Sequence, residues 1–212
     1  MRPLVYLFAL LAMSVMAHAA PLQEPATLCE HAIGNAEATG HTPPGMLAAI
    51  AQVESGRPDP QAGRMRPWPW TIDADGVGQF FATKAQAVAA VAALQARGVR
   101  SIDVGCMQIN LMYHPDAFAS LGQAFDPAFN TAYAVRFLNL LYRRNASWPK
   151  SIAAYHSETP QIADGYQRRV FATWQQHVGT PVAGGPTYAD SGLIYGAFGS
   201  TGRVYGLILP GR

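Results

Sequence analysis

The chain has 212 residues, half of them hydrophobic and 13% charged, with 15 basic against 13 acidic side chains. That balance, without a basic cluster, excludes ordinary nucleic-acid binding, and 20 glycines with 16 prolines fall short of a low-complexity composition. The length is sufficient for one domain with a substantial core.

Arg2 precedes an apolar run from Leu4 to Met16, and Ala17-His18-Ala19 follows with small residues at cleavage spacing. The run is too short to span a bilayer, so residues 1–19 read as a secretory signal peptide. The chain is then expected to be exported and periplasmic, with no transmembrane segment and the folded domain at 20–178. Loss of Arg2 leaves 14 basic against 13 acidic residues. Two cysteines, Cys29 and Cys106, are expected to pair in an oxidising compartment.

Residues 21–27 read as an extended leader. Leu28, Ala32, Ile33 and Ala36 recur at helical spacing up to Gly40, and a second helix is expected from Pro43-Pro44 to Gly56, with Leu47, Ile50, Ala51 and Glu54 on one face. A Pro-, Gly- and Arg-rich stretch at 57–66 is expected to be irregular. Asp75-Gly76, between Trp68-Pro69-Trp70-Thr71-Ile72 and Val77-Gly78-Gln79-Phe80-Phe81, predicts a hairpin. Thr83 is placed to cap a helix over 84–96. Residues 101–110 read as a glycine-containing loop or short helix, and three further helices are expected at 127–144, 148–157 and 162–177. Residues 179–212 hold nine glycines without helical period and read as a flexible tail.

Glu54 is the first candidate for chemistry. A carboxyl on an apolar helix face loses hydration, its pKa rises, and it can serve as a general acid. Rotation to solvent or pairing with Arg57 is the structural alternative. Cys106 with His114 or His156 would be a cysteine nucleophile with its base, but an even cysteine count favours a disulfide instead. Trp68 and Trp70 suit either sugar stacking or packing. The histidines and aspartates show no metal-ligand spacing, so no metal or other cofactor is expected.

Three ordered motifs then resemble the lytic transglycosylases of the Slt type: Ala51-Gln52-Val53-Glu54-Ser55-Gly56, Val104-Gly105-Cys106-Met107-Gln108-Ile109-Asn110, and Ala154-Tyr155-His156. Glu158-Thr159 followed by Tyr166 is similar to a fourth. The likeness covers roughly residues 29–177 and departs from the family at Cys106 (usually leucine), at His156 (usually asparagine) and in an insertion at 57–100. It implies a mainly α, goose-lysozyme-like helical domain, here with a small β-hairpin insertion, and a peptidoglycan glycan strand as substrate. The reaction implied is cleavage between N-acetylmuramic acid and N-acetylglucosamine with 1,6-anhydro ends. Glu54 would be the catalytic acid and base, while Ser55, Met107, Gln108, Tyr155, His156 and Tyr166 would hold substrate or support Glu54. A hydrolytic muramidase, with an aspartate such as Asp59, Asp73, Asp75 or Asp103 as second carboxylate, and a non-catalytic peptidoglycan-binding assembly factor are the alternatives. A secretion, conjugation or flagellar assembly would be the partner.

Overall fold

The computed structural model describes residues 24–178; the expected signal peptide and tail lie outside them. Seven helices and two small antiparallel sheets make up the described residues, a mainly α, lysozyme-like architecture. No described helix is long and apolar enough to cross a membrane.

Helix α1 (Pro25–Thr39) starts earlier than expected because Pro25 occupies the first turn and Glu24 caps it, accepting from Ala26 N–H at 3.2 Å. Proline costs nothing there, since its missing N–H would have had no helical partner. Helix α2 (Met46–Ser55) begins after Gly45 (φ +72°), which offers no capping side chain. The cap comes from α1: Glu37 Oε1 accepts from the N–H groups of Leu47 and Ala48 at 2.8 and 3.2 Å. Met46, Leu47, Ala49, Ile50 and Ala51 are fully buried, so α2 runs through the main core rather than along its surface. Burying a Leu or Ile side chain contributes roughly 1.5–3 kcal/mol.

Helix α7 (Pro160–Val178) packs directly on α2, α6 (Trp148–His156) packs on α7, and α5 (Pro127–Asn145) packs on α6 and α1. Leu138, Ile152, Tyr166, Val170 and Trp174 close one core with Cys106 and Met107. The disulfide Cys29–Cys106 ties α1 to this core.

The stretch expected to be irregular forms a hairpin, β1 (Gly56–Asp59) with β2 (Arg64–Pro67). Composition concealed it because long-range charge holds it: Arg66 bonds Glu30 and Thr27 of α1 as well as Asp59. The expected Asp75-Gly76 hairpin is present as β3 (Thr71–Ala74) and β4 (Val77–Phe80). Helix α3 (Lys84–Ala96) has the expected Thr83 cap, completed into a capping box by Gln86.

Residues 101–110 are not a loop or helix but β5 (Ile102–Val104), a tight turn and β6 (Ile109–Asn110), which extend the hairpin into a sheet ordered β4-β3-β5-β6. A three-residue strand is too short for periodicity to reveal; pairing with β3 creates it. Ile72, Ala74, Ile102 and Val104 point from this sheet into a second core with Ala87 and Val91 of α3 and with Ala124 and Phe125, at and just beyond the end of the short helix α4 (Leu121–Ala124).

Candidate active site

Glu54 occupies the last turn of α2, before Gly56 turns the chain into β1. The residue keeps some solvent exposure, yet its carboxyl lies among protein atoms. Burial pushes its pKa up to about 8; a hydrogen bond from Tyr166 opposes the rise, Asp103 and Asp73 reinforce it, and Arg169 opposes it. Tyr166 Oη donates to Glu54 Oε1 at 2.6 Å, from a ring that is 1% exposed. Because burial and the neighbouring carboxyl hold its phenol well above the usual range, Tyr166 stays a donor throughout the pH range in which Glu54 titrates.

His156 is exposed and stacks on Tyr166, with centroids 4.6 Å apart and planes 11° from parallel. Desolvation and then Arg169 hold its pKa below the usual histidine value, against a smaller upward pull from Asp73. Its imidazole is therefore predominantly neutral at neutral pH.

The turn Gly105–Gln108 forms the adjoining wall, and each neighbouring element grips it. Ser55 Oγ lies 2.7 Å from Cys106 O and 3.2 Å from Ala51 O, both acceptors. Asn130 of α5 accepts from Met107 N–H at 2.8 Å and donates to the carbonyls of Val104 and Ala124, each at 3.0 Å. Tyr155 Oη donates to Met107 O at 2.8 Å. Gln108, at φ +44°, donates through Nε2 to Thr71 O and Gly105 O. A non-glycine residue in that region costs roughly 1 kcal/mol, offset here by those two bonds.

Gly105 itself has φ +84°, and a Cβ there would lie 2.5 Å from Asn130 Nδ2. Glycine is required for both reasons.

Of the residues singled out from the sequence, Glu54, Ser55, Met107, Gln108, Tyr155, His156 and Tyr166 come together, but in two kinds of place, whereas His114 bonds Tyr133 and Asp59 bonds Arg66 away from them. Glu54, Tyr166 and His156 form one corner, joined by the Tyr166 hydrogen bond and the ring stack. Ser55 and Met107 are 1% and 0% exposed; their polar contacts run to the protein backbone and to Asn130, which makes them supports of the wall. Cys106 is disulfide-bonded and buried, so the cysteine-nucleophile alternative does not hold. Trp68 packs: its indole N–H donates to Phe81 O at 2.7 Å, and the Arg57 guanidinium covers its face at 3.4 Å. That contact also engages Arg57, the partner considered for Glu54. Sequence reasoning missed Asn130, whose one signal was an amide within the apolar face of α5.

Residues 31–170 match the family described as the transglycosylase SLT domain. The chain belongs to that family. No curated protein and no solved structure matches it. Family membership brings a glycan-cleaving role of the lytic transglycosylase kind, with peptidoglycan as the substrate. The matched segment contains Glu54, the Gly105–Gln108 turn, Tyr155, His156 and Tyr166, so the match and the geometry concern the same corner of the fold.

Proposed function

We propose that Glu54 cleaves the bond between N-acetylmuramic acid and N-acetylglucosamine as acid and then as base, leaving 1,6-anhydro-muramic ends. The observation that carries this reading is the buried Glu54 carboxyl, protonated up to about pH 8 and held by Tyr166 at 2.6 Å.

In the first step Glu54 gives its proton to the glycosidic oxygen as the carbon–oxygen bond breaks and positive charge develops at the anomeric carbon. The carboxylate left behind is stabilised by the Tyr166 hydroxyl, a charge-assisted bond stronger than a neutral one. That carboxylate then removes the proton from the muramoyl C6 hydroxyl, whose oxygen closes on the anomeric carbon. No water is consumed, and Glu54 ends in the acid form in which it began. The nucleophile is part of the substrate and has the advantage of intramolecular attack.

Gln108 and the outer edge of His156 are the side chains best placed to meet a sugar, being partly or fully exposed beside the wall. Ser55, Met107 and Tyr155 act by keeping the Gly105–Gln108 turn in place. The apolar run with its cleavage pattern at 1–19 supports export to the periplasm, where the substrate lies. The glycine-rich segment 179–212 is then available to a secretion, conjugation or flagellar assembly.

Mass analysis of the muropeptides released from purified peptidoglycan tests the reaction. Products one water lighter than hydrolysis products, absent with Glu54→Gln, are expected. Reducing muramic ends alone would refute the reading and favour a muramidase; cleavage undiminished in Glu54→Gln would remove Glu54 from the chemistry.

A further inference from the structure

The two tryptophans of the 57–100 insertion are engaged within the protein. Trp68 lies under Arg57 and donates to Phe81 O, and Trp70 meets Trp68 edge to face at 5.8 Å and packs against the second core. Phe80, at the end of β4, is 47% exposed instead. A single exposed ring is ordinary; the direction in which this one points is not. Phe81 packs on the second core, so alternation along the strand turns Phe80 to the opposite face of the sheet. Phe80 pairs with Thr71 and Gly78 with Asp73, while Ile72 and Ala74 point into the core. The face away from that core therefore carries Phe80, Gly78, Thr71 and Asp73.

This face is continuous with the wall beside Glu54. Thr71 O accepts from Gly105 N–H at 2.9 Å and from Gln108 Nε2 at 3.1 Å, which bonds the side chain best placed to meet a sugar to the strand that pairs with β4. A second link starts next to Glu54: Trp68 N–H donates to Ser55 O at 3.0 Å, and its indole N–H to the carbonyl of the residue after Phe80. The Asp73 charge, on the same face, is felt at Glu54 and at His156. From Thr71 to Phe80 is one strand spacing, about 4.8 Å, so the ring stands one step beyond the wall. Gly78 keeps the ground beside it low, since a Cβ there would meet only Asp73 Oδ2, at 3.8 Å. Val77, Gly78, Gln79 and Phe80 carry no charge, so the strand has nothing to draw an ionic partner.

We propose that Phe80 is a sugar-stacking residue that carries the glycan cleft onto the β3–β4 hairpin, where it takes the C–H face of an N-acetylated pyranose away from the bond that is cut. A flat apolar ring covers that face of the sugar and leaves the hydroxyls at its rim hydrated, so apolar area is buried without stranding a polar group. The substrate is a polymer and runs past the corner where one bond breaks; Phe80 meets it on the side of Gln108. Because the ring belongs to the insertion, the contact is a feature of this chain and not of the motifs it shares with its family. A contact off the reacting atoms holds ground state and transition state alike, so it acts on KM and leaves kcat in place.

This inference rests on a glycan strand being the substrate, and its test reads binding apart from cleavage. Full-length Glu54→Gln protein, alone and combined with Phe80→Ala, Phe80→Trp or Val77→Ala, is titrated calorimetrically with purified, peptide-free glycan strands. The same three substitutions in the otherwise wild-type chain are assayed for KM and kcat. Phe80→Ala is expected to weaken binding and raise KM by roughly three- to tenfold with kcat unchanged, and Phe80→Trp to restore both. Val77→Ala, exposed on the opposite face of the same strand, is expected to change neither. Unchanged affinity in Phe80→Ala overturns the inference. So does an equal loss in Val77→Ala, the mark of unspecific apolar contact, or a loss that Phe80→Trp does not recover. Sedimentation of each variant adds one more refuting outcome: if Phe80→Ala splits a dimer and leaves glycan affinity intact, the face joins two copies of the chain. If Glu54→Gln still cleaves, the proton-donor reading fails while the difference in binding remains measurable.

Discussion

Replacing Glu54 by glutamine should stabilise the protein, and should do so only where the wild-type carboxyl is under strain to ionise. In the unfolded chain this carboxyl titrates near 4.5, and in the folded protein near 8. Across that interval the folded state keeps a proton that the unfolded state has lost. The contribution of Glu54 to stability is therefore complete below about pH 4.5 and declines as pH rises through 8. A shift of that size corresponds to roughly 5 kcal/mol. Partial exposure of Glu54 admits some screening, which reduces the expected figure to about 2–5 kcal/mol. Glutamine is nearly isosteric, keeps an oxygen to accept from Tyr166, and has no charge to bury. Urea unfolding of the two proteins from pH 4 to 8.5 should give nearly equal stabilities at the acid end and a gap that widens in favour of Glu54→Gln toward pH 8. The other titrating groups are common to both proteins and cancel. A gap that stayed constant with pH, or one that favoured wild type at pH 8, would refute the claim that burial holds the proton on Glu54.

Tyr166→Phe removes the donor that favours the carboxylate, so the alkaline limb of cleavage should move up by roughly 1–2 pH units while the maximal rate falls, both read from pH-dependent kinetics. Asn130→Ala leaves the Val104 and Ala124 carbonyls and the Met107 N–H without their partner; a loss of about 2–4 kcal/mol is expected in chemical denaturation, together with reduced cleavage as the turn loosens. His156→Asn should flatten the acid side of the pH profile. With its pKa held below the ordinary value, protonation of His156 on acidification puts a second cation next to Arg169 and against Tyr166, and asparagine cannot do so; superimposable profiles would exclude this.

Much of the site could be read along the chain because its parts are local motifs. Glu54 was singled out by its place on the apolar face with Leu47, Ile50 and Ala51, and that face is buried because α2 is a core helix. The disulfide followed from two cysteines in a chain read as exported. Helix α3 was legible to its cap, since Thr83 and Gln86 satisfy one another within a single turn.

Other features were not legible. The β1–β2 hairpin depends on Arg66 meeting Glu30, 36 residues away, and β5 and β6 owe their extended form to pairing across the sheet. A strand of two or three residues has too little periodicity to announce itself.

The sequence alone determined the family and the mainly α class and singled out Glu54 as the candidate acid, because these reside in residue types at short spacing. Only the tertiary structure decided how strongly Glu54 holds its proton, for that depends on burial, on the charges of Asp103 and Asp73 and on Tyr166, 112 residues away. It likewise decided that Ser55 and Met107 support the wall from within. Burial, hydrogen-bond partners and the electrostatic field are sums over neighbours in space, and a chain does not possess those neighbours until it has folded.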